Sequence, residues 1–298
     1  MDLQCMIPTL MLPKILHLES TDACQAACPQ CAREFDTSFD KNNLHHLTVD
    51  QINKLLIPGT IKQLDKMYMC GDYGDPAAGK YTLEIYKHFR SLNSNITLGM
   101  NTNGGIRTTD WWKKLAQILN CDQDYVIFSL DGLEDTNHIY RVNVNWQRVM
   151  ENVQAFISAG GNAHWDMLVF EHNEHQVEEC EQLARELGFK WFRAKASRRH
   201  IEYPVNFLNP PKEYNNPTVE KGKIKCQALS ENSLYISAQG KLYPCCWLGP
   251  TEYSIDKFDK IQESWNSDNP YYLCKITCTE QNNKSSFTNQ WQREIELN

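Results

Sequence analysis

Three cysteines fall within eight residues in the string Cys24-Gln-Ala-Ala-Cys28-Pro-Gln-Cys31. Thiolates are the soft ligands that iron–sulfur clusters and zinc require, and three is an informative number. A structural zinc site closes four positions, whereas a four-iron cluster held by three cysteines keeps one iron open to a further ligand. A zinc knuckle is the alternative, with a fourth ligand drawn from His17, His45 or His46. A second group follows far along the chain as Cys226-x13-Gly240-x4-Cys245-Cys246-Trp247 and then Cys274-x3-Cys278. Cysteines on either side of a hairpin are brought together by chain reversal, and the last pair returns two more thiols to the same segment.

These groups need elements to hold them. Between Lys14 and Lys195 short β-rich runs alternate with amphipathic stretches. Strands are predicted at Lys14–Ser20, Lys66–Cys70, Ile96–Asn101, Tyr125–Leu130, His164–Phe170 and Trp191–Lys195. Helices are predicted at Val49–Leu55, Tyr81–Leu92, Asp110–Leu119, Trp146–Ala159 and Glu174–Leu187, with Thr48 and Thr109-Asp110 as N-caps and Gly188 as a C-cap. Such alternation means βαβ units and a parallel sheet. A closed eightfold barrel takes about 250 residues, so this stretch holds about six units and makes a partial, open barrel. The fold class is therefore α/β, a partial (β/α)6 barrel over residues 1–195. Pro204, Pro210, Pro211 and Pro217 mark an extended connector over 196–225. A small cysteine-rich domain over 226–298 carries a hairpin around Ala238-Gln-Gly240, a helix near Lys260–Trp265 and a polar tail.

The bulk composition narrows the setting. With 298 residues, 41% of them apolar and 22% charged, the chain can bury a substantial core. A net charge of −7 argues against general affinity for nucleic acid or anionic membrane. No apolar run is long enough to span a bilayer. The apolar start, Met1 to Pro13, lacks a basic region and a cleavage site, so it does not read as a signal peptide. Twelve cysteines, eight of them in the two groups, then read as metal ligands in a reducing cytoplasm rather than as a disulfide framework. The scattered Cys5, Cys70, Cys121 and Cys180 read as small buried hydrophobes.

C-x3-C-x2-C directly after the first strand of a partial barrel resembles the radical S-adenosylmethionine (SAM) superfamily. In that family the open iron chelates SAM, and electron transfer from the cluster yields a 5′-deoxyadenosyl radical that abstracts hydrogen from the substrate. Tyr73-Gly74-Asp75-Pro76 stands where the family carries Gly-Gly-Glu-Pro, with Tyr73 and Asp75 as departures. Asn101-Thr-Asn103-Gly104 is similar to its Thr-Asn-Gly, and Ser129-Leu-Asp131-Gly132 to its Ser-x-Asp-Gly. The resemblance implies cofactor contacts from Gly74, Asp75, Pro76, Asn103, Ser129 and Asp131, with Arg141 pairing with a carboxylate. Gln30 stands where an aromatic residue usually packs near the adenine, leaving Phe35 or Phe39 as candidates. The second cysteine group resembles the Twitch domain, the shortened form of the SPASM extension, which holds one auxiliary [4Fe-4S] cluster. On that resemblance the ligands are Cys226, Cys245, Cys274 and Cys278, with Cys246 as neighbour or substitute; a zinc ribbon is the alternative.

Enzymes of this type include anaerobic sulfatase-maturing enzymes, peptide cross-linking enzymes and an aminocyclitol dehydrogenase. They imply an external reductant such as flavodoxin or ferredoxin and a small-molecule or peptide substrate. An oxidation also needs a base, for which Asp131, Glu171, His172, His200 and Glu202 are candidates. Lys195, Arg198, Arg199 and His200 are placed to anchor a carboxylate or phosphate of substrate or cofactor. The absence of an extra wing before Lys14 disfavours leader-dependent peptides. A molybdenum-cofactor-cyclase-like enzyme and a non-catalytic zinc-stabilised binding protein are the rival readings.

Overall fold

The computed structural model describes residues 12–197, 199, 208–212, 223–249, 251–279 and 293–297. Among these residues nine strands form a single sheet: β1 (Ile15–Leu18), β2 (Lys66–Met69), β3 (Thr97–Thr102), β4 (Tyr125–Ser129), β5 (Ala163–Val169), β6 (Trp191–Ala196), β7 (Ser233–Ile236), β8 (Leu242–Tyr243) and β9 (Arg293–Glu296). Their order is β8-β7-β1-β2-β3-β4-β5-β6-β9. From β7 to β6 every neighbouring pair is parallel, and β8 and β9 add antiparallel edges. This is the mostly parallel α/β sheet that an open partial barrel requires.

The register explains the layering. Leu16, Met67 and Leu98 lie side by side on one face, as do Phe128, Trp165 and Phe192. All six are fully buried. The helices Thr82–Leu92, Thr109–Ile118, Trp146–Ser158 and Val177–Leu187 cover this face. Trp112 packs 5.3 Å from Phe128, and Phe128 5.9 Å from Phe156, so these crossovers are fixed by aromatic contacts. Each such buried side chain contributes roughly 1.5–3 kcal/mol. The alternate positions are mixed: His17, Tyr68, Tyr125, His164 and Asp166 stand among Ile15, Ile127 and Leu168. A parallel sheet covered on both faces would carry apolar residues at every position. The polar side chains on this face suit a sheet that lines an internal space.

Helix ends follow local chemistry. Thr48 and Gln51 form a capping box before the helix Val49–Leu55, and Gly188 closes Val177–Leu187 at φ 85°. The helix at Thr109 differs from expectation, because Thr108 is its N-cap and makes no side-chain cap.

The described strands of the C-terminal segment all join the same sheet. β7 pairs in parallel with β1 along its whole length, and β9 pairs with β6. The segment does keep a separate small core, in which Tyr235, Tyr243, Leu248, Phe258 and Ile261 are buried together. The helix Phe258–Ser264 packs there, close to the expected Lys260–Trp265. Pro204, Pro217 and most of the connector lie outside the described residues.

Candidate functional site

The C-terminal ends of the parallel strands converge on a cavity of about 260 Å³. Cys24, Cys28 and Cys31, on the loop after β1, form one wall. That loop is held down by its backbone: Ala27 N–H donates to Val142 O (3.0 Å) and Cys31 N–H to Cys28 O (2.9 Å). Side-chain donors approach the sulfurs, with Asn103 Nδ2 3.7 Å from Cys24 Sγ and Arg141 Nη1 3.8 Å from Cys28 Sγ. Burial, with the Asp75 charge behind it, pushes the Cys24 thiol up to about 12. Burial likewise lifts Cys28 to about 11, against the pull of Arg141. Thiols raised this far are protonated at neutral pH, and a bound metal group is what would convert them to thiolates.

The expected zinc alternative draws no support from the histidines. His17 bonds Cys70 O at 2.6 Å, His45 bonds Asp22 at 2.8 Å, and His46 bonds Thr21 Oγ1 at 2.8 Å. None of the three lines the cavity. A tetrahedral zinc with Zn–S near 2.3 Å needs sulfurs only about 3.8 Å apart. Among the described residues no three or more His, Cys, Asp or Glu side chains are grouped to hold a metal ion. Three thiols on one cavity wall, with no histidine beside them, are a donor set that suits an iron–sulfur cluster. Cys70, expected as a buried hydrophobe, is half-buried and also lines this cavity. Cys24 and Cys28 each interact electrostatically with Cys31, whereas Cys70 acts on Tyr68 and Tyr125.

The loop after β2 forms the next wall. A Cβ on Gly71 would meet Gly74 O at 2.2 Å, and one on Gly74 would meet Thr21 O at 1.9 Å. Only glycine permits this approach, which lays the loop backbone along the cavity. Asp75 lines it too, but its carboxylate is already engaged. Oδ1 accepts from Ala77 N (2.9 Å) and Thr102 Oγ1 (2.8 Å), and Oδ2 from Asn103 N (2.7 Å) and Asn103 Nδ2 (2.6 Å). Asp75 therefore ties the loop to the end of β3. Pro76 lies behind it, buried at the start of a 3-10 turn, and does not line the cavity.

Asn103 and Ser129 line the cavity from β3 and β4, and Tyr140, Arg141, Lys195 and Arg199 complete it. Asp131 does not reach it. That residue is fully buried, with Arg141 Nε at 2.6 Å from Oδ2 and Leu168 N–H donating to Oδ1 at 2.6 Å. Held in this way it faces Arg141 behind the cavity wall. Glu171 is exposed and bonds Asn209 at 2.7 Å, and His172 stacks on Phe170; neither lines the cavity. His200, Glu202 and Arg198 lie outside the described residues.

Several partners were not legible. Asp166 accepts from Lys195 Nζ (2.6 Å) and from both Nε (3.0 Å) and Nη2 (2.5 Å) of Arg193. Burial works to raise its carboxyl, but Lys195 and Arg193 outweigh burial and hold it below the usual range. Gln30 is buried, accepting from Ser197 Oγ at 2.6 Å and, through its carbonyl, from the Arg199 guanidinium. An aromatic ring there would break this tie to the end of β6. Phe39 stacks on Tyr73 at 4.6 Å, and neither Phe35 nor Phe39 lines the cavity. The aromatic residues that do are Tyr73 and Tyr140.

In the C-terminal segment Cys245 interacts with Cys226, Cys278 and Cys274, and Cys274 with Cys278 and Cys226. Lys225 N–H donates to Cys278 O at 2.7 Å, which sets the first and last of these cysteines side by side. Burial pushes Cys274 up to about 12 and raises Cys226 and Cys245 as well. Cys246 acts on Tyr68 and Tyr235 and, with Cys226, Cys245 and Cys274, packs against the small C-terminal core.

Residues 18–188 match the family described as the Radical SAM superfamily. Among solved structures, Streptococcus suis SuiB bound to S-adenosylmethionine is similar, with a TM-score of 0.58 at 16% identity. That similarity covers 86% of this chain and 66% of SuiB, just under two-thirds of its length. Native anSMEcpe with bound AdoMet has a TM-score of 0.53 at 15% identity, covering 91% of this chain and 82% of anSMEcpe. No curated protein matches the chain in sequence. Among the described residues no helix is long and apolar enough to cross a membrane.

Proposed function

The chain belongs to the radical SAM superfamily, and on that premise we propose that Cys24, Cys28 and Cys31 hold a [4Fe-4S] cluster whose open iron takes SAM. Bound there and reduced, the cluster supplies the electron that cleaves the sulfonium and yields a 5′-deoxyadenosyl radical able to take hydrogen from a substrate. The observation that carries this reading is the meeting of three thiols and a glycine-laid backbone in one cavity at the strand ends.

The residues have separable tasks. Carbonyls of the Gly71–Gly74 loop would accept from the methionine amino group, and Asp75 fixes that loop against β3. Ser129 and Lys195 offer a hydroxyl and a cation to the ribose and carboxylate. Arg141, oriented by Asp131, offers its remaining guanidinium edge near Cys28. Cys226, Cys245, Cys274 and Cys278 form a Twitch-like auxiliary [4Fe-4S] site, which serves oxidation or bond formation after hydrogen abstraction. Electrons come from flavodoxin or ferredoxin, and the setting is cytoplasmic. A peptide is the favoured substrate class, because SuiB was solved with its precursor peptide SuiA and anSMEcpe with the Cp18Cys peptide.

Anaerobically reconstituted protein with dithionite and SAM is expected to release 5′-deoxyadenosine. Alanine at Cys24, Cys28 and Cys31 together abolishes the release. Alanine at the four C-terminal cysteines keeps SAM cleavage but stops productive turnover. A colourless protein that retains only zinc and releases no 5′-deoxyadenosine refutes the reading.

A further inference from the structure

Glu19 follows β1 directly, is 2% exposed, and belongs to none of the motifs that carry the proposed chemistry. Its two oxygens face two different parts of the molecule. Oε1 accepts from the backbone N–H groups of Tyr73 (2.8 Å) and Gly74 (3.1 Å), in the loop that lines the cysteine cavity. Oε2 accepts from the Tyr235 hydroxyl (2.9 Å) and from Ala238 N–H (3.4 Å), in the β7–β8 hairpin. Three partners are backbone N–H donors and the fourth is a hydroxyl that can donate, so the arrangement suits a carboxylate that accepts on both sides. Burial works against that charge and raises the carboxyl above its usual range, and the four donors oppose burial.

A buried carboxylate is tolerated only while its donors stay in place. The hairpin and the cavity loop therefore depend on the same charge. The hairpin leads within two residues from Tyr243 to Cys245, so the second cysteine group sits at one end of this link and the methionine-facing backbone at the other. Gly74 has no slack to compensate, since its backbone is already packed against Thr21.

We propose that Glu19 is a positioning residue through which the C-terminal hairpin sets the barrel's affinity for SAM. This rests on the proposed function. When Tyr235 and Ala238 hold Oε2, Oε1 is presented to the Tyr73 and Gly74 amides and the loop is fixed for binding. When the hairpin contact is lost, the carboxylate turns or takes up a proton and the loop loosens.

The test uses the full chain, reconstituted anaerobically. Tyr235→Phe removes one hydroxyl and keeps the ring. The SAM Kd is expected to rise about tenfold, the size of losing a hydrogen bond to a charged group. The KM for SAM rises with it, while kcat for 5′-deoxyadenosine release at saturation is unchanged. Hydrogen exchange at the Tyr73 and Gly74 amides, followed without SAM, accelerates by a similar factor. Glu19→Gln, whose amide nitrogen cannot accept, gives a larger effect in both measurements. Tyr243→Phe is the control, because Tyr243 packs 6.1 Å from Tyr235 on the same hairpin but is not one of the four donors.

Unchanged exchange at Tyr73 and Gly74 in Tyr235→Phe overturns the link whether or not SAM binds. Faster exchange with unaltered SAM affinity overturns its role in cofactor binding. An equal effect from Tyr243→Phe overturns it too, by showing general loosening of the hairpin. A wild-type protein that binds no SAM refutes the proposed function instead.

Discussion

His17 shows how one buried side chain sets a pH response. It is 7% exposed, stacks on Tyr68 at 4.5 Å and bonds Cys70 O, and burial lowers its pKa to about 4. The folded chain therefore keeps it neutral, whereas the unfolded chain takes up a proton below about 6.5. Its contribution to stability is intact above that pH and is lost as the pH falls from about 6.5 to about 4, to the extent of about 3 kcal/mol. Denaturant midpoints measured across this window should fall in the wild type and flatten in His17→Gln. Asp75→Asn turns an acceptor of four donors into one that presents an amide to Asn103, so it is expected to cost about 2–3 kcal/mol. The melting temperature and the SAM Kd of that variant check it. That Cys24, Cys28 and Cys31 would share one wall was legible because their spacing is local. Glu19 and Gln30 were not, because their partners lie 54 and 167 positions away. The surroundings of Asp131 were not legible for a related reason: its motif is local, but the Arg141 and Leu168 contacts that bury it are set by the fold.

Elements were read more readily than their pairings. All six barrel strands lie within a residue or two of their expected bounds, because each is a short β-rich run set between helical stretches. The hairpin at Gly240, φ 75°, was also legible from its turn. That β7 would extend the sheet beside β1 was not, since periodicity fixes which face a strand buries but not its neighbour. The β9 strand falls in a mostly polar tail, where the alternation Ile295-Glu296-Leu297 is too brief to mark a strand. The loop after β2 is the element most exposed to change, because its path depends on glycine at two points and on Arg107, whose guanidinium bonds Ala77 O (2.6 Å) and Gly79 O (2.7 Å). Gly74→Ala places a Cβ against Thr21 O and is expected to destabilise the fold by more than about 2 kcal/mol. Urea denaturation should show this as a lower midpoint at unchanged m-value, and calorimetry should show SAM binding lost.

At the scale of the molecule, the C-terminal segment is part of the sheet that carries the first cysteine group. A fragment of residues 12–197 lacks β7 and leaves the β1 edge with no partner on that side. Exposed edges of this kind template aggregation. The fragment should therefore be recovered as soluble aggregate on size exclusion, where the full chain elutes as a discrete species; a monodisperse fragment contradicts this. The β1–β7 pairing also bears on how the chain is made. Ile15 must wait for Ser233, more than 200 residues later. At translation speeds of about 5–20 residues per second, that delay is roughly ten to forty seconds. Throughout it the emerging polypeptide holds one side of its earliest strand open while β2 to β6 assemble beside it. Holdase chaperones on the ribosome would find their target there, and slowing synthesis should lower the yield of native protein rather than raise it.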